Sequence, residues 1–218
     1  MDGIVLLSKK IGLTSFTALT DVKRALDTKK VGHTGTLDSF AQGLLVVCTG
    51  RLTRLAGYIT AFDKEYNAVL KFGEETDTLE YTGKVIRTSP LPTEEELKKA
   101  IEKYIGSYNQ LPPLFSSIHV DGKRASELVR KGQEAVLTPR PITIKKAEII
   151  ELKKTDDNKV LYANINFTVS KGTYIRSLAR DIANECGSAA QLIGLYRTRV
   201  GTFKIEDAAG YQTVKDFS

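Results

Sequence analysis

The sequence predicts an α+β fold, and three observations carry that expectation. Apolar residues recur at the two-residue period in some segments and at helical spacing in others. Polar turn signals join neighbouring strand-like segments into hairpins. Nowhere do strands and helices alternate in the regular way that builds a parallel sheet. At 218 residues, with 41% hydrophobic and 27% charged residues, the chain has the composition of one soluble domain. It contains no internal repeat, low-complexity segment or clear linker, so one domain spanning residues 1–218 is expected.

The elements follow in order. Residues 3–8 form a first strand, and beyond Gly12 either Thr14 or Ser15 can cap a helix. Ala18, Leu19, Val22 and Leu26 give that helix one apolar face. A loop then carries Asp38, with Gly32 and Gly35 before it and Gly43 after it. The apolar run 44–47 reads as a buried strand, and a short segment with Arg51 and Arg54 follows. Residues 64–76 place Tyr66, Ala68, Leu70 and Phe72 on one face, as in a half-buried strand. Thr93 and Glu96 make a capping box for a helix to about Tyr104.

After Pro112 and Pro113 a strand is expected near 116–120, turning at Asp121 and Gly122, then a short helix stopped at Gly132. Residues 142–153 and 160–169 form an antiparallel pair across a polar turn at 156–158. A helix runs from about Thr173 to Gly187, and residues 195–205 form a last strand.

Composition bounds the chemistry. No apolar run approaches the roughly 20 residues that cross a bilayer, and the N-terminus lacks the features of a signal peptide. The two cysteines, Cys48 and Cys186, form no disulfide framework and stand in no metal-ligand spacing with His33 or His119. A cytoplasmic protein is expected. The net charge of +6 and pI near 9.2 suit a polyanionic partner. From residue 171 to 204 there are six basic residues against two acids. The phosphate-binding glycine loops, HExxH, paired-cysteine and GxSxG motifs are all missing. What remains is acids, tyrosines and arginines, and by turn chemistry alone Asp38 is an ordinary loop residue.

Four blocks change that reading. GHTGTLDSFAQGLL around Asp38 resembles the catalytic motif of the bacterial TruB family of tRNA pseudouridine synthases. Residues 64–83 (KEYNAVLKFGEETDTLEYTG), 111–125 (LPPLFSSIHVDGKRA) and 170–203 (SKGTYIRSLARDIANECGSAAQLIGLYRTRVGTF) resemble the family's further blocks, in the family's order.

The resemblance implies a pseudouridine synthase fold: a mixed, largely antiparallel central sheet flanked by helices, with a central RNA-binding cleft. It implies isomerisation of uridine 55 in the T loop of tRNA, with no cofactor and no metal. Asp38 matches the catalytic aspartate and Arg176 the arginine that pairs with it. Tyr66 matches the tyrosine that stacks on the flipped base and serves as a base late in the reaction. Tyr174 and Leu195 match residues lining the uracil pocket. Lys64 matches a lysine that contacts phosphate or supports the site, and His33 one that enters the substrate loop.

The partner implied is the tRNA T stem-loop, bound by a monomer without guide RNA and without the C-terminal PUA-type RNA-binding domain that relatives carry. Two other readings stand beside this one. One is a noncatalytic RNA-binding module on the same fold; the other is an N-glycosidase using Asp77 or Glu80 as a second carboxylate.

The chain departs from the family at several places. Ser39 replaces the usual proline after Asp38, which loosens the loop or offers a hydroxyl to cap a following helix. Residues 78–80 read Thr-Leu-Glu where an Asp is common at the last position. His119 and Ser126 stand where Lys and Tyr are frequent.

Overall fold

The computed structural model describes residues 1–120 and 122–210, with Val120 described by its backbone alone. In chain order the elements are β1 (Gly3–Lys9), α1 (Ser15–Ala25), β2 (Val31–His33) and β3 (Gln42–Thr49). A 3-10 segment (Gly50–Leu55) leads to α2 (Ala56–Thr60), β4 (Lys64–Phe72), β5 (Glu74–Thr76), β6 (Val85–Thr88), α3 (Glu94–Tyr104) and β7 (Gly106–Gln110). Then come β8 (His119–Val120), β9 (Lys123–Arg124), α4 (Ala125–Arg130), β10 (Arg140–Lys154), β11 (Val160–Val169), α5 (Ile175–Glu185), β12 (Ala190–Val200) and β13 (Phe203–Lys204). By compactness the described residues divide into a first unit, residues 1–67 with 194–210, and a second, within residues 68–193. Strands β4 and β12 each contribute residues to both.

The first unit is built around β3. Strand β1 pairs antiparallel along its length, from Gly3↔Thr49 to Lys9↔Gly43. The other edge is shared: β2 pairs antiparallel near its end, His33↔Val47, and β12 pairs parallel at its start, Arg197↔Gly43. Leu45 and Val47 pack on Ala18, Leu19 and Val22 of α1. Leu44, Val46 and Cys48 pack on Ile59, Val200, Ile205 and Ala208. A strand covered on both faces needs apolar side chains at consecutive positions, which is why residues 44–47 show no alternation. Thr14 caps α1, its hydroxyl accepting from the Thr17 N–H at 3.0 Å.

The second unit carries the strand order β12-β4-β11-β10-β7. Strands β10 and β11 form the expected antiparallel pair, Ile149↔Ile165 at its middle, with register shifts that mark bulges. Thr93 and Glu96 form the capping box that starts α3. With mixed but mostly antiparallel sheets and flanking helices, the chain has the α+β class expected of it.

Three expected strands are redrawn. The segment 64–76 breaks at Gly73, whose φ of +97° suits glycine, and β5 pairs with β6 in a separate hairpin. Near 116–120 only His119–Val120 is strand, and of the expected turn at Asp121 and Gly122, Asp121 lies outside the described residues. The last long strand begins at Ala190 instead of 195 and ends at Val200. Gly201, at φ +57°, turns the chain so that β13 folds back on β12.

Candidate active site

Asp38 is half-buried in the loop between β2 and β3, and the loop is pinned at both ends. At its entry, the Thr34 hydroxyl and N–H both donate to the Val46 carbonyl, at 3.1 and 3.0 Å. The Thr60 hydroxyl donates to the Thr34 carbonyl at 2.7 Å. The residue before Asp38 is held by the first residue of α1. The Ser15 hydroxyl accepts the Leu37 N–H at 2.8 Å and donates to the Leu37 carbonyl at 3.1 Å.

Immediately after, the Ala41 N–H donates to the Asp38 carbonyl at 3.1 Å, closing a turn with Ser39 and Phe40 at its centre. Neither central residue has positive φ, which makes the turn type I in character. The turn leads straight into β3, so no helix follows for Ser39 to cap. The exposed Ser39 instead contributes its carbonyl, which accepts the Gly12 N–H at 2.8 Å.

Two buried cations stand by this loop. The Arg197 guanidinium, 2% exposed, donates to the Leu44, Gly35 and Thr36 carbonyls at 2.7, 3.2 and 3.5 Å. The Lys9 ammonium donates to the Lys10 and Leu13 carbonyls at 3.1 and 2.7 Å. Burial pulls the Lys9 pKa down to about 8; the Asp38 charge opposes the shift and Arg197 adds to it. Sequence reasoning missed Ser15, Lys9 and Arg197.

The other expected site residues of the first unit occupy defined places. His33 ends β2, and its buried Nδ1 makes no hydrogen bond. Burial, with Arg197 adding, holds its pKa below the ordinary 6.5, so the imidazole is neutral at pH 7. Lys64 and Tyr66 lie on the buried face of β4. The Lys64 ammonium donates to the Thr60 and Phe62 carbonyls, both at 2.6 Å. Leu195 is buried on β12.

Tyr174 and Arg176 belong to the second unit, at the start of α5. Arg176 is buried and is no helix-surface residue. Its guanidinium donates to the Thr78 carbonyl at 2.9 Å and the Phe115 carbonyl at 3.0 Å. It thereby ties the second and third sequence blocks to the fourth. On the same helix, the half-buried Arg180 bonds Asp181 at 2.8 Å.

Tyr174 is held by Gln110, a buried residue that sequence reasoning also missed. The Gln110 Oε1 accepts the Tyr174 N–H at 2.8 Å, and its Nε2 donates to the Tyr174 carbonyl at 3.1 Å. Among the described residues, no group of three or more His, Cys, Asp or Glu could hold a metal ion. No helix among them is long and apolar enough to cross a membrane.

The arrangement is an aspartate on a braced loop of an α+β fold, and comparison with known proteins gives the chain a class. A chain of the solved Cbf5-Nop10-Gar1 complex matches with a TM-score of 0.69 and 28% identity, over 93% of this chain and 50% of that one. Fold and sequence place the chain among the pseudouridine synthases. Within that class it belongs to the TruB family: the family description "TruB family pseudouridylate synthase (N terminal domain)" matches residues 23–175.

Among curated relatives, tRNA pseudouridine synthase B of Treponema denticola is 47% identical over 229 residues, covering 99% of this chain and 64% of that protein. Its counterpart in Bordetella parapertussis is 40% identical over 219 residues, covering 99% and 87%. The chain thus spans just under two thirds of the first relative. Arg176 and Leu195 lie beyond the family-matched segment but within the stretch these relatives share.

Proposed function

We propose that this chain isomerises uridine to pseudouridine in tRNA, at position 55 of the T loop, with residues 1–218 acting as one catalytic domain. The C1′–N1 bond breaks, the uracil rotates, C5 joins C1′, and the C5 proton leaves while N1 gains one. Substrate and product are isomers, so the reaction calls for no redox partner or co-reactant. Asp38 supplies the carboxylate that meets positive charge developing at C1′, by bonding to it or through space. Arg176 is the arginine that the family's motif pairs with this aspartate.

Tyr66 stacks on the extruded base and takes part in the final proton removal, and Tyr174 and Leu195 line the uracil pocket. A base inside a helix stack presents neither its glycosidic carbon nor its C5 edge, so the target is flipped out. His33 enters the substrate loop as a neutral imidazole. Lys64, tied to backbone carbonyls, supports the site from β4. The enzyme works as a monomer on the tRNA T stem-loop, without guide RNA, in the cytoplasm.

The observation that carries this reading is the bracing of Asp38. A turn residue needs no buried serine and no buried arginine on its flanks, whereas a catalytic carboxylate must be held to a fraction of an ångström. The test is to incubate the pure chain with unmodified tRNA transcripts and map pseudouridine by sequencing. One new pseudouridine at position 55 is expected. No product across a tRNA pool would favour a noncatalytic RNA-binding module, and release of free uracil would favour an N-glycosidase.

A further inference from the structure

We infer that Arg197 is a positioning residue for Asp38, acting by bridging the two flanks of the loop that carries it; this rests on the proposed role of Asp38. Its guanidinium reaches Gly35 and Thr36, just before Asp38, and Leu44, six residues after it. One rigid planar group thus fixes the separation of the strands from which the loop springs. Guanidinium suits the task because its donors fan out in a plane, and a lysine ammonium, a single point, cannot span both flanks.

The backbone at this point is equally constrained. Arg197 stands opposite Gly43 in the parallel β12–β3 register, and Gly43 has φ +110°. A Cβ on Gly43 would meet the Arg197 carbonyl carbon at 3.0 Å and its oxygen and nitrogen closer still. Glycine at position 43 lets β12 approach closely enough for the Arg197 side chain to lie under the loop.

Among the described residues, all of the guanidinium's hydrogen bonds end on backbone carbonyls, and none on a carboxylate. A fully desolvated cation without an acid partner is costly in a core, and an apolar residue would fill the space more favourably. Its retention under the Asp38 loop is explained by what it holds.

The experiment compares Arg197→Lys and Arg197→Met with the parent chain on unmodified tRNA. Far-UV circular dichroism and tRNA binding serve as controls for folding. If Arg197 bridges, both variants lose kcat by about 100-fold, the cost of misplacing a reacting group by roughly an ångström. KM for tRNA stays within about threefold, since ground-state binding is left alone. Amide exchange at Leu37 and Ala41 quickens relative to Leu97 of α3.

Retention of kcat by Arg197→Lys would overturn the inference, showing that charge alone suffices. A change confined to KM, unchanged loop exchange, or failure of both variants to fold would overturn it as well. If the parent chain makes no pseudouridine, the proposed function fails, and loop exchange reads the Arg197 bridge on its own.

Discussion

Replacing Ser15 by alanine removes one oxygen atom and leaves two backbone groups of Leu37 without partners. Leu37 is buried, and both its N–H and its carbonyl are satisfied by the Ser15 hydroxyl, at 2.8 and 3.1 Å. A typical hydrogen bond contributes about 1 kcal/mol net, but a buried donor or acceptor left unpaired costs about 1–3 kcal/mol. Two such groups on one residue set the loss at about 2–6 kcal/mol, slightly offset by alanine's better helix propensity. For a chain of this size each kcal/mol moves Tm by about 2–4 °C, so a fall of roughly 4–24 °C is expected.

The same change frees the residue preceding Asp38, so kcat should fall more than stability at the assay temperature explains. Urea unfolding and thermal scans measure the first effect, and single-turnover pseudouridine formation the second. A stability change below about 0.5 kcal/mol would refute the clamp, because a buried pair of orphaned groups cannot be that cheap.

Three further outcomes are expected. Ser39→Pro should stabilise the chain by about 0.4–1 kcal/mol, because Ser39 sits at the second position of a type I turn and its N–H makes no hydrogen bond among the described residues; a loss of stability in urea would contradict the turn assignment. Lys9 titrates near 8 when folded and 10.5 when unfolded. The native state therefore binds fewer protons in that window, and stability gains a rising contribution as pH climbs from about 8 to 10.5. Urea midpoints of Lys9→Met should lack this rise, and parallel pH curves would count against it. The His33 pKa is depressed in the fold, so its contribution is present above 6.5 and is lost as pH falls below that value. His33→Gln should flatten that part of the stability profile.

Legibility in the sequence followed how local each signal was. The helix from Ser15, the capping box at Thr93 and Glu96, and the β10–β11 hairpin were readable because period and turn residues lie within a few positions of one another. The start of β12 was hidden. Its first residue, Ala190, follows Ser188 and Ala189, small side chains that give no strand period, although all three are buried. The boundaries between the two units fall inside β4 and β12, where composition does not change.

Asp38, Tyr66 and Arg176 were singled out through block resemblance alone, since each by itself looks like a turn, core or surface residue. Ser15, Gln110 and Arg197 act on backbone carbonyls and amides of distant residues, and such contacts leave no spacing in sequence. In a one-dimensional reading a buried Arg or Lys is indistinguishable from a solvated one.

The central claim is that the carboxylate of Asp38 makes the product. Asp38→Asn keeps the shape and the backbone turn and removes the charge. Measured on unmodified tRNA, the variant should form no pseudouridine at position 55 while binding tRNA about as tightly as the parent chain. Pseudouridine formation at the parent rate in Asp38→Asn would contradict the account.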